Sequence, residues 1–508
     1  MTDVRSNDEL TAATASGLRW MTLIRVVSEL LLLGSMIVLA RLIPPSAFGM
    51  FALALIVQEL AVNVPSEGVG SAIVQRRTVG REHLEGGLAL GLLVAAVMAA
   101  VTLLLAEVLV RPLFGDETAL VIALTTPWFL FGAVVALPMT VLRRRLDFRS
   151  LSLLGLAQGI VRSVSTILLA AVLGLDAEAL VLGGLVGMCA MVALALFFAP
   201  VPLPRWRRQA IRDLLPYGGP AMLACFSWAG FRNGDYAIVG ARLGAAQAGF
   251  YFRGFQLAVE YQGKISAVMY QVAFPVLSRT AGPEEMFALR RRMVRLLTVV
   301  LFPLLTLLAL LAPVLVPWLF GPAWEPAVLP TQILAGAGAA TVVIDAVGTV
   351  LMAAGRSRAM LGYGIAHFAV YAGAVLVASS HGLAAVSAAA VAVHVVFIVV
   401  AYQLMLRGRS ERTLRLLWDD TAAATVSCVV LVAVGSPVDI ALDNAGAAAP
   451  LHIMLVAAAG AMAYLAALRL AFPAAWRDVR AVLRRVVPAG SLRAAARKLP
   501  GAAAAHRT

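Results

Sequence analysis

The sequence predicts an all-α integral membrane protein, and three observations predict it: the composition, the long apolar runs and the spacing of the arginines. Of the 508 residues, 61% are apolar and 13% are charged, and the mean hydropathy is +0.90. Soluble domains are about half apolar and about a quarter charged, so this composition excludes an ordinary soluble enzyme. The net charge of +14 does not indicate nucleic-acid binding, because the arginines form short clusters between apolar runs.

Apolar runs bounded by charged residues, Gly or Pro predict fourteen membrane-spanning helices, since one span needs about 20 apolar residues. The predicted spans are 19–42, 47–73, 84–110, 119–142, 151–173, 179–199, 216–240, 248–276, 294–319, 327–354, 359–380, 382–406, 420–437 and 450–472. We group them into a six-helix bundle at 19–199, a basic linker at 200–215, a second six-helix bundle at 216–406 and two additional helices at 407–472. Residues 1–18 and 473–508 are the predicted cytoplasmic ends of the chain.

The charges of the connecting loops give the orientation, because Lys and Arg accumulate in cytoplasmic loops of membrane proteins. Basic clusters follow every second predicted span: Arg76, Arg77 and Arg81; Arg143, Arg144, Arg145 and Arg149; Arg205, Arg207, Arg208 and Arg212; Arg279 and Arg290 to Arg292; Arg356 and Arg358; and Arg407, Arg409, Arg412 and Arg415. The intervening loops are mainly acidic. This alternation favours an even number of spans with both termini in the cytoplasm.

An internal repeat is visible at a separation of about two hundred residues. The segment ARLIPPSAFGMFALA, from Ala40, aligns with ARLGAAQAGFYFRGF, from Ala241, after one gap. A weaker match pairs VLRRRLDFRSLSLLG, from Val141, with VLMAAGRSRAMLGYG, from Val350. Six predicted spans separate the copies, so the two halves have the same orientation and the repeat is parallel.

Motifs for catalysis, nucleotide binding and metal binding are missing from the sequence. We find no GxxxxGK phosphate loop, HExxH or GxSxG, and the three cysteines lie singly in apolar stretches. His367 and His394 also stand alone in apolar helices, and we interpret them as packed histidines. The sequence therefore predicts no enzyme, no cofactor and no metal site.

Charged residues inside the predicted spans are the remaining functional candidates, because charge at membrane depth is costly unless it has a partner or water. Most of them lie in the first, second, seventh and eighth spans, which are equivalent in the two repeats. The basic ones are Arg25, Arg162, Arg232, Arg253 and Lys264, and the acidic ones are Glu29, Glu59, Glu67, Asp235, Glu260 and Asp345. Arg25 with Glu29 and Glu260 with Lys264 have the i,i+4 spacing of internal ion pairs, and that interpretation stays open.

Several of these segments together resemble Wzx-type polysaccharide flippases of the multidrug/oligosaccharidyl-lipid/polysaccharide exporter superfamily. They are ARLIPPSAFGMFALA, GVGSAIVQRR, RRRLDFR, NGDYAIVGARLGAAQAGFYFRGFQLA and VAFPVLSR, and the resemblance covers roughly residues 17–475. It implies two six-helix bundles around a central cavity plus two C-terminal helices. It also implies transport of undecaprenyl-pyrophosphate-linked oligosaccharide across the bacterial cytoplasmic membrane by alternating access.

The resemblance also implies roles for the charged residues of the spans. Cavity arginines of the family are thought to meet the pyrophosphate, and guanidinium groups suit this role because they bind phosphate oxygens in pairs. We therefore expect Arg25, Arg162, Arg232, Arg253 and Lys264 to bind substrate. Protons or cations are expected at Glu29, Glu59, Asp235, Glu260 and Asp345. Partners implied are the lipid-linked oligosaccharide and a polysaccharide polymerase or other synthesis machinery. Independently of the resemblance, basic residues interleaved with Ala, Val and Leu in the tail predict a contact with anionic lipids.

Two other functions remain open at this point. A drug or cation antiporter of the same superfamily is one, although such proteins typically have twelve helices and an acidic cavity. A non-transporting membrane scaffold of a polysaccharide synthesis complex is the other, although a scaffold has no need of buried charge.

The predicted topology has a direct test. A reporter that is active only in the cytoplasm should be active when fused after Arg208 or Arg412 and inactive after Asp176 or Asp443, because the loop charges alternate across the membrane. Reporter activity in whole cells measures this, and an outer-side reporter at the same sites is the control. The opposite pattern at any of these sites would show that a span is missing or invented.

Overall fold

The computed structural model describes residues 24, 27–267, 270, 283–406 and 412–486. Within these ranges the chain consists of helices joined by short loops, and it contains no strand. Fifteen helices are numbered here in chain order: α1 27–42, α2 Pro45–Gln75, α3 Arg81–Phe114, α4 Asp116–Arg144, α5 Phe148–Leu173, α6 Ala177–Phe198, α7 Arg208–Leu243, α8 245–267, α9 Pro283–Phe320, α10 Val328–Ala353, α11 Ser357–Ala378, α12 Leu383–Met405, α13 Thr413–Asn444, α14 Ala449–Ala471 and α15 Pro473–Val486.

The all-helical membrane fold is confirmed. Eleven helices in the described ranges are long and apolar enough to cross a membrane, namely α2 to α6 and α9 to α14. The other three predicted spans correspond to α1, the beginning of which lies outside the described residues, and to α7 and α8, which carry charged residues in their middle turns. The observed helices are consistent with fourteen spans.

Two turns with the same geometry occur at aligned positions of the sequence repeat. Leu146, between α4 and α5, has a φ of 56°, and Gly355, between α10 and α11, has a φ of 72°. In each turn the next residue's amide, from Asp147 or Arg356, donates to the carbonyl five residues back at 3.0 Å. This is the left-handed helix ending that usually takes glycine. Matching backbone conformations at aligned positions support a duplication.

The chain divides into two compact units. The first is Met1–Phe252 with Leu319–Pro326 and Val375–Leu383, and the second is Arg253–Trp318, Ala327–Ala374 and Ala384–Thr508. The predicted division into two six-helix bundles stays a prediction. One apolar core of the first unit is built on Trp128, Phe129 and Leu154, which are buried among residues of α2, α3, α4 and α6.

Within the first unit, α2 and the start of α8 cross at two glycines. A Cβ atom on Gly49 would collide with the carbonyl oxygen of Ala245, and a Cβ atom on Gly249 would collide with the carbonyl oxygen of Pro45. The contact is reciprocal, and both glycines lie in the segments that the sequence repeat aligned. Glycine is therefore required at both positions, because the two backbones touch.

Within the second unit, a buried ion network joins α9, α12 and α13. Arg290 and Asp420 form an ion pair, and the side chains are 1% and 0% exposed. The Tyr402 hydroxyl donates to the same carboxylate at 2.8 Å, and Arg291 approaches it at 3.6 Å. An apolar core containing Leu431 and other residues of α13 and α14 packs beside Val299 of α9. The two additional helices are thus attached to the second unit by charge and by apolar packing.

The described part of the basic tail forms α15, which packs on the second unit. Ala475 is 2% exposed and Trp476 packs against the core formed by α9, α13 and α14. Asp478 accepts ion pairs from Arg292 at 3.5 Å and Arg295 at 3.4 Å. This segment therefore has partners within its own chain, in addition to the lipid contact predicted for it.

The crossing of α2 and α8 predicts that one methyl group added at Gly49 lowers the stability of the protein. The change Gly49→Ala should destabilise the protein by about 1–3 kcal/mol, because the methyl forces two backbones apart. Thermal unfolding of the purified protein in detergent measures this. The matched control is Gly159→Ala in α5, where a Cβ atom meets nothing within 4 Å and the change should be neutral or stabilising. Equal stability of both variants would show that the helices do not touch there.

The buried ion network predicts a non-additive pair of substitutions. Either Arg290→Met or Asp420→Leu alone should lower stability by about 3–5 kcal/mol, because each leaves one buried charge unpaired. The double variant should recover most of the loss, since it leaves no buried charge: Arg291, the other arginine near Asp420, is 45% exposed. Thermal unfolding and the yield of monodisperse protein are the measurements. Additive losses in the double variant would mean that the two side chains do not act as a pair.

Candidate functional site

In the first unit, charged residues of α2 and α7 meet within the predicted spans. The Glu59 carboxylate accepts a hydrogen bond from Asn233 Nδ2 at 2.9 Å and lies 3.8 Å from the Arg232 guanidinium. The Arg232 side chain is 48% exposed and that of Glu59 is 26% exposed. The Arg232 contact is therefore long and accessible, so another anion can replace Glu59 as the partner of Arg232.

Asp235 has a different environment from Glu59, although both were predicted to bind a coupling ion. It is buried and accepts hydrogen bonds from the Tyr251 hydroxyl and from the Tyr236 amide, both at 3.0 Å. Tyr236 and Tyr251 also pack ring against ring at 6.0 Å. These contacts attach α7 to the start of α8, and Asp235 has its hydrogen bonds inside the protein.

Arg162 lies near the middle of α5, with its guanidinium carbon 5.9 Å from the centre of the Phe51 ring of α2. Gly187 of α6 makes room for it, because a Cβ atom there would lie 2.8 Å from Arg162 Cβ. Among the residues that the structure describes, no carboxylate pairs with this guanidinium. A ring face attracts a cation but does not neutralise it, so Arg162 is available to an anion.

In the second unit, the charged residues of α8 surround a π-helical turn, Gln256–Glu260. Arg253 is 3% exposed and donates to Gln256 Oε1 at 2.9 Å, and Glu260 is close enough to interact with it electrostatically. The Lys264 ammonium lies 4.9 Å from the ring centre of Tyr261. A π turn inserts one residue and changes which residues share a face, and such turns are frequent at functional sites.

The remaining predicted residues are placed as follows. Asp345 of α10 is partly buried and interacts electrostatically with Tyr270 and Tyr363. Glu29 is partly buried in α1. Arg25 lies outside the described residues, so its proposed pairing with Glu29 stays a prediction. No group of three or more potential metal ligands occurs in the part of the chain that the structure describes.

Sequence reasoning missed two charged groups at the ends of spans. One is the Arg290 and Asp420 network, and the other is Glu85 of α3, which is 3% exposed and pairs with Arg81 at 3.0 Å and Arg207 at 2.8 Å. Arg81, Arg207 and Arg290 belong to basic loop clusters, which in the sequence indicate only the orientation of the chain in the membrane. The available signal was a pair of acidic residues close to a basic cluster, since Glu82 and Glu85 follow Arg81, and Asp419 and Asp420 follow Arg415.

Known proteins with similar sequences indicate the family of this chain. Residues 38–329 match the model of a family described as "Polysaccharide biosynthesis protein". The chain is 26% identical over 360 residues to the lipopolysaccharide biosynthesis protein WzxC of Escherichia coli K12, covering 68% of this chain and 70% of that protein.

Solved structures confirm the fold. The lipid II flippase MurJ in an inward closed conformation has a TM-score of 0.68 and 12% identity, and the match covers 88% of this chain and 97% of MurJ. An inward-facing multidrug transporter of the MATE family has a TM-score of 0.60 and 15% identity, and the match covers 77% of this chain and 95% of that transporter. The family model spans more than half of the chain, and the chain therefore belongs to the polysaccharide biosynthesis protein family.

Proposed function

We propose that this protein is a Wzx-type flippase of the multidrug/oligosaccharidyl-lipid/polysaccharide exporter superfamily. It moves undecaprenyl-pyrophosphate-linked oligosaccharide from the cytoplasmic to the outer leaflet of the bacterial cytoplasmic membrane by alternating access. The observation that carries the proposal is Arg162, a cation in the middle of a membrane helix that has a ring contact and no carboxylate partner among the described residues. An uncompensated cation at this depth is costly. A substrate that brings two phosphate groups to the same depth supplies the missing charge.

The chemistry of the substrate fits this arrangement. The sugar head and pyrophosphate lose their hydration on entering the membrane, whereas the polyprenyl tail stays in lipid. A fixed guanidinium compensates the phosphate charge and donates two parallel hydrogen bonds to its oxygens. Arg232, with nearly half of its side chain exposed, supplies a second such group in the same unit. Arg25, Arg253 and Lys264 remain proposed substrate ligands, although Arg253 is 3% exposed in this conformation.

Ion coupling is proposed at Glu59. When a phosphate forms an ion pair with Arg232, the Glu59 carboxylate loses its neighbouring positive charge. It keeps Asn233 as a hydrogen-bond donor. A proton or a cation then compensates that carboxylate. Glu29, Glu260 and Asp345 are further proposed sites, whereas the two hydrogen-bond donors on Asp235 favour a structural role.

Location and partners follow from the same proposal. Both termini lie in the cytoplasm, and the exposed arginines of the cytoplasmic loops contact anionic lipid headgroups. Polysaccharide polymerase or other synthesis machinery receives the translocated oligosaccharide. The chain has no catalytic role in this scheme, since it moves the substrate without changing a covalent bond.

Replacement of Arg162 tests the proposal. The change Arg162→Ala should abolish flipping of a fluorescent undecaprenyl-pyrophosphate-linked oligosaccharide in proteoliposomes, because the anion loses its counter-charge. Arg162→Lys should restore part of the rate, since an ammonium keeps the charge but lacks the planar pair of donors. Protection of the fluorophore from an external quencher measures flipping.

The control is Arg149→Ala, which replaces an exposed arginine at the beginning of the same helix and should flip at the wild-type rate. Wild-type flipping by Arg162→Ala would contradict the substrate role of Arg162. A wild-type protein that exports cationic drugs and does not move the glycan would favour the drug antiporter instead.

A further inference from the structure

Two loops of the first unit repeat each other in sequence and in backbone conformation. The sequence Leu-Phe-Gly occurs at 113–115, where α3 ends, and at 319–321, where α9 ends, and both segments belong to the first unit. The two glycines have φ values of 87° and 99°. The third residue after each glycine is buried, with Thr118 2% exposed and Trp324 0% exposed. Thr118 and Trp324 are therefore counterparts in the two halves of the sequence.

The side chain of Trp324 is enclosed by aromatic rings. Its ring centre lies 5.3 Å from that of Phe48 and 6.0 Å from those of Phe250 and Phe320, and all three pairs are edge-to-face. The indole Nε1 donates a hydrogen bond of 2.8 Å to the carbonyl oxygen of Ala40. Ala40 lies in the last turn of α1, where carbonyl groups have no partner further along the helix. The indole thus has ring contacts and an acceptor for its N–H group.

The corresponding place in the first half of the sequence is a cavity of about 160 Å³. Four of the residues that line it are counterparts of Trp324 and its neighbours: Thr118 of Trp324, Phe114 of Phe320, Ala241 of Ala40 and Ala248 of Phe48. The last correspondence follows from the crossing of α2 and α8, because Phe48 and Ala248 each precede one of its two glycines. Thr118 and Ala248 are much smaller than Trp324 and Phe48, and this difference in size leaves the cavity.

The cavity offers the same kinds of contact that hold the Trp324 indole. Phe114 supplies an aromatic ring, and Ala241 lies in the last turn of α7, where carbonyl groups again have no partner further along the helix. Leu113, Ala241 and Gly244 at its edge are exposed, so a ligand can enter from outside the protein. A cavity of about 150 Å³ is large enough to hold benzene. The chemistry therefore favours a planar aromatic ligand with one N–H donor.

We propose that this cavity is a binding site for a small planar aromatic molecule of the indole class. Its ring occupies the place that the Trp324 ring has in the other half, and its N–H group donates to the carbonyl oxygen of Ala241. The residues that line the cavity include none of the proposed substrate or ion ligands. The proposal is therefore independent of the proposed function.

Indole is the probe, and isothermal titration calorimetry of the full-length protein in nanodiscs measures binding, with empty nanodiscs as the blank. The wild-type protein should bind one indole per chain. 1-Methylindole, which lacks the N–H group, should bind about tenfold more weakly because the carbonyl acceptor stays unpaired. No saturable binding of indole by the wild-type protein overturns the proposal, and equal binding of the two compounds overturns the role of the N–H donor.

Filling the cavity should abolish binding. Thr118→Trp places the side chain of the other half in the cavity, so indole binding should be lost. The matched control is Glu117→Trp, which adds the same side chain at the exposed neighbouring position and should keep wild-type binding. Unchanged indole binding by Thr118→Trp overturns the proposed location of the site.

A second variant, Ala248→Phe, keeps the test decisive if Thr118→Trp does not fold. It introduces the counterpart of Phe48 and should also abolish indole binding. Thermal unfolding without ligand checks that the space exists, because a side chain that fills a cavity raises the melting temperature. Indole should raise the melting temperature of the wild-type protein and of Glu117→Trp, since it binds the folded state. Melting of both cavity-filling variants below the wild type would show that the space is absent and overturns the proposal.

Discussion

Charge inside a membrane has to be compensated, and this constraint organises the functional parts of the molecule. The structure compensates charge in three ways. Asp420 is matched by a buried arginine, and Asp235 is matched by hydrogen-bond donors. Among the described residues, Arg162 has a ring contact and no carboxylate partner. The first two are complete within the protein and stabilise contacts between helices. The third is incomplete, and for that reason Arg162 is the residue on which the substrate proposal depends.

Much of the fold was predictable because apolar run length and loop charge are local properties of the sequence. Within the described residues, the predicted runs lie in helices, and the aligned segments share a turn geometry at Leu146 and Gly355. Charge partners were not predictable, since they depend on how distant helices pack. Glu59 is bound by Asn233, 174 positions away, and Arg290 looked like its neighbours in a cluster of three basic residues.

The attachment of α13 and α14 shows how an added helix pair becomes part of an existing unit. Apolar packing alone orients helices weakly in lipid, because lipid tails compete for the same apolar surfaces. A buried ion pair has one favourable geometry, so Arg290 and Asp420 select a single docking position for α13 on α9. The tail helix α15 adds a further polar contact through Asp478.

The crossing at Gly49 and Gly249 also limits how the two aligned segments can differ in sequence. Most contacts tolerate an enlargement on one side when the other side shrinks. Here each side is already glycine, and each would collide with main-chain atoms of the other helix. No smaller residue exists to make room, so neither position can be rescued by a change at the other. Both aligned segments are thus restricted to glycine at this point, whereas the residues on either side of it differ between them.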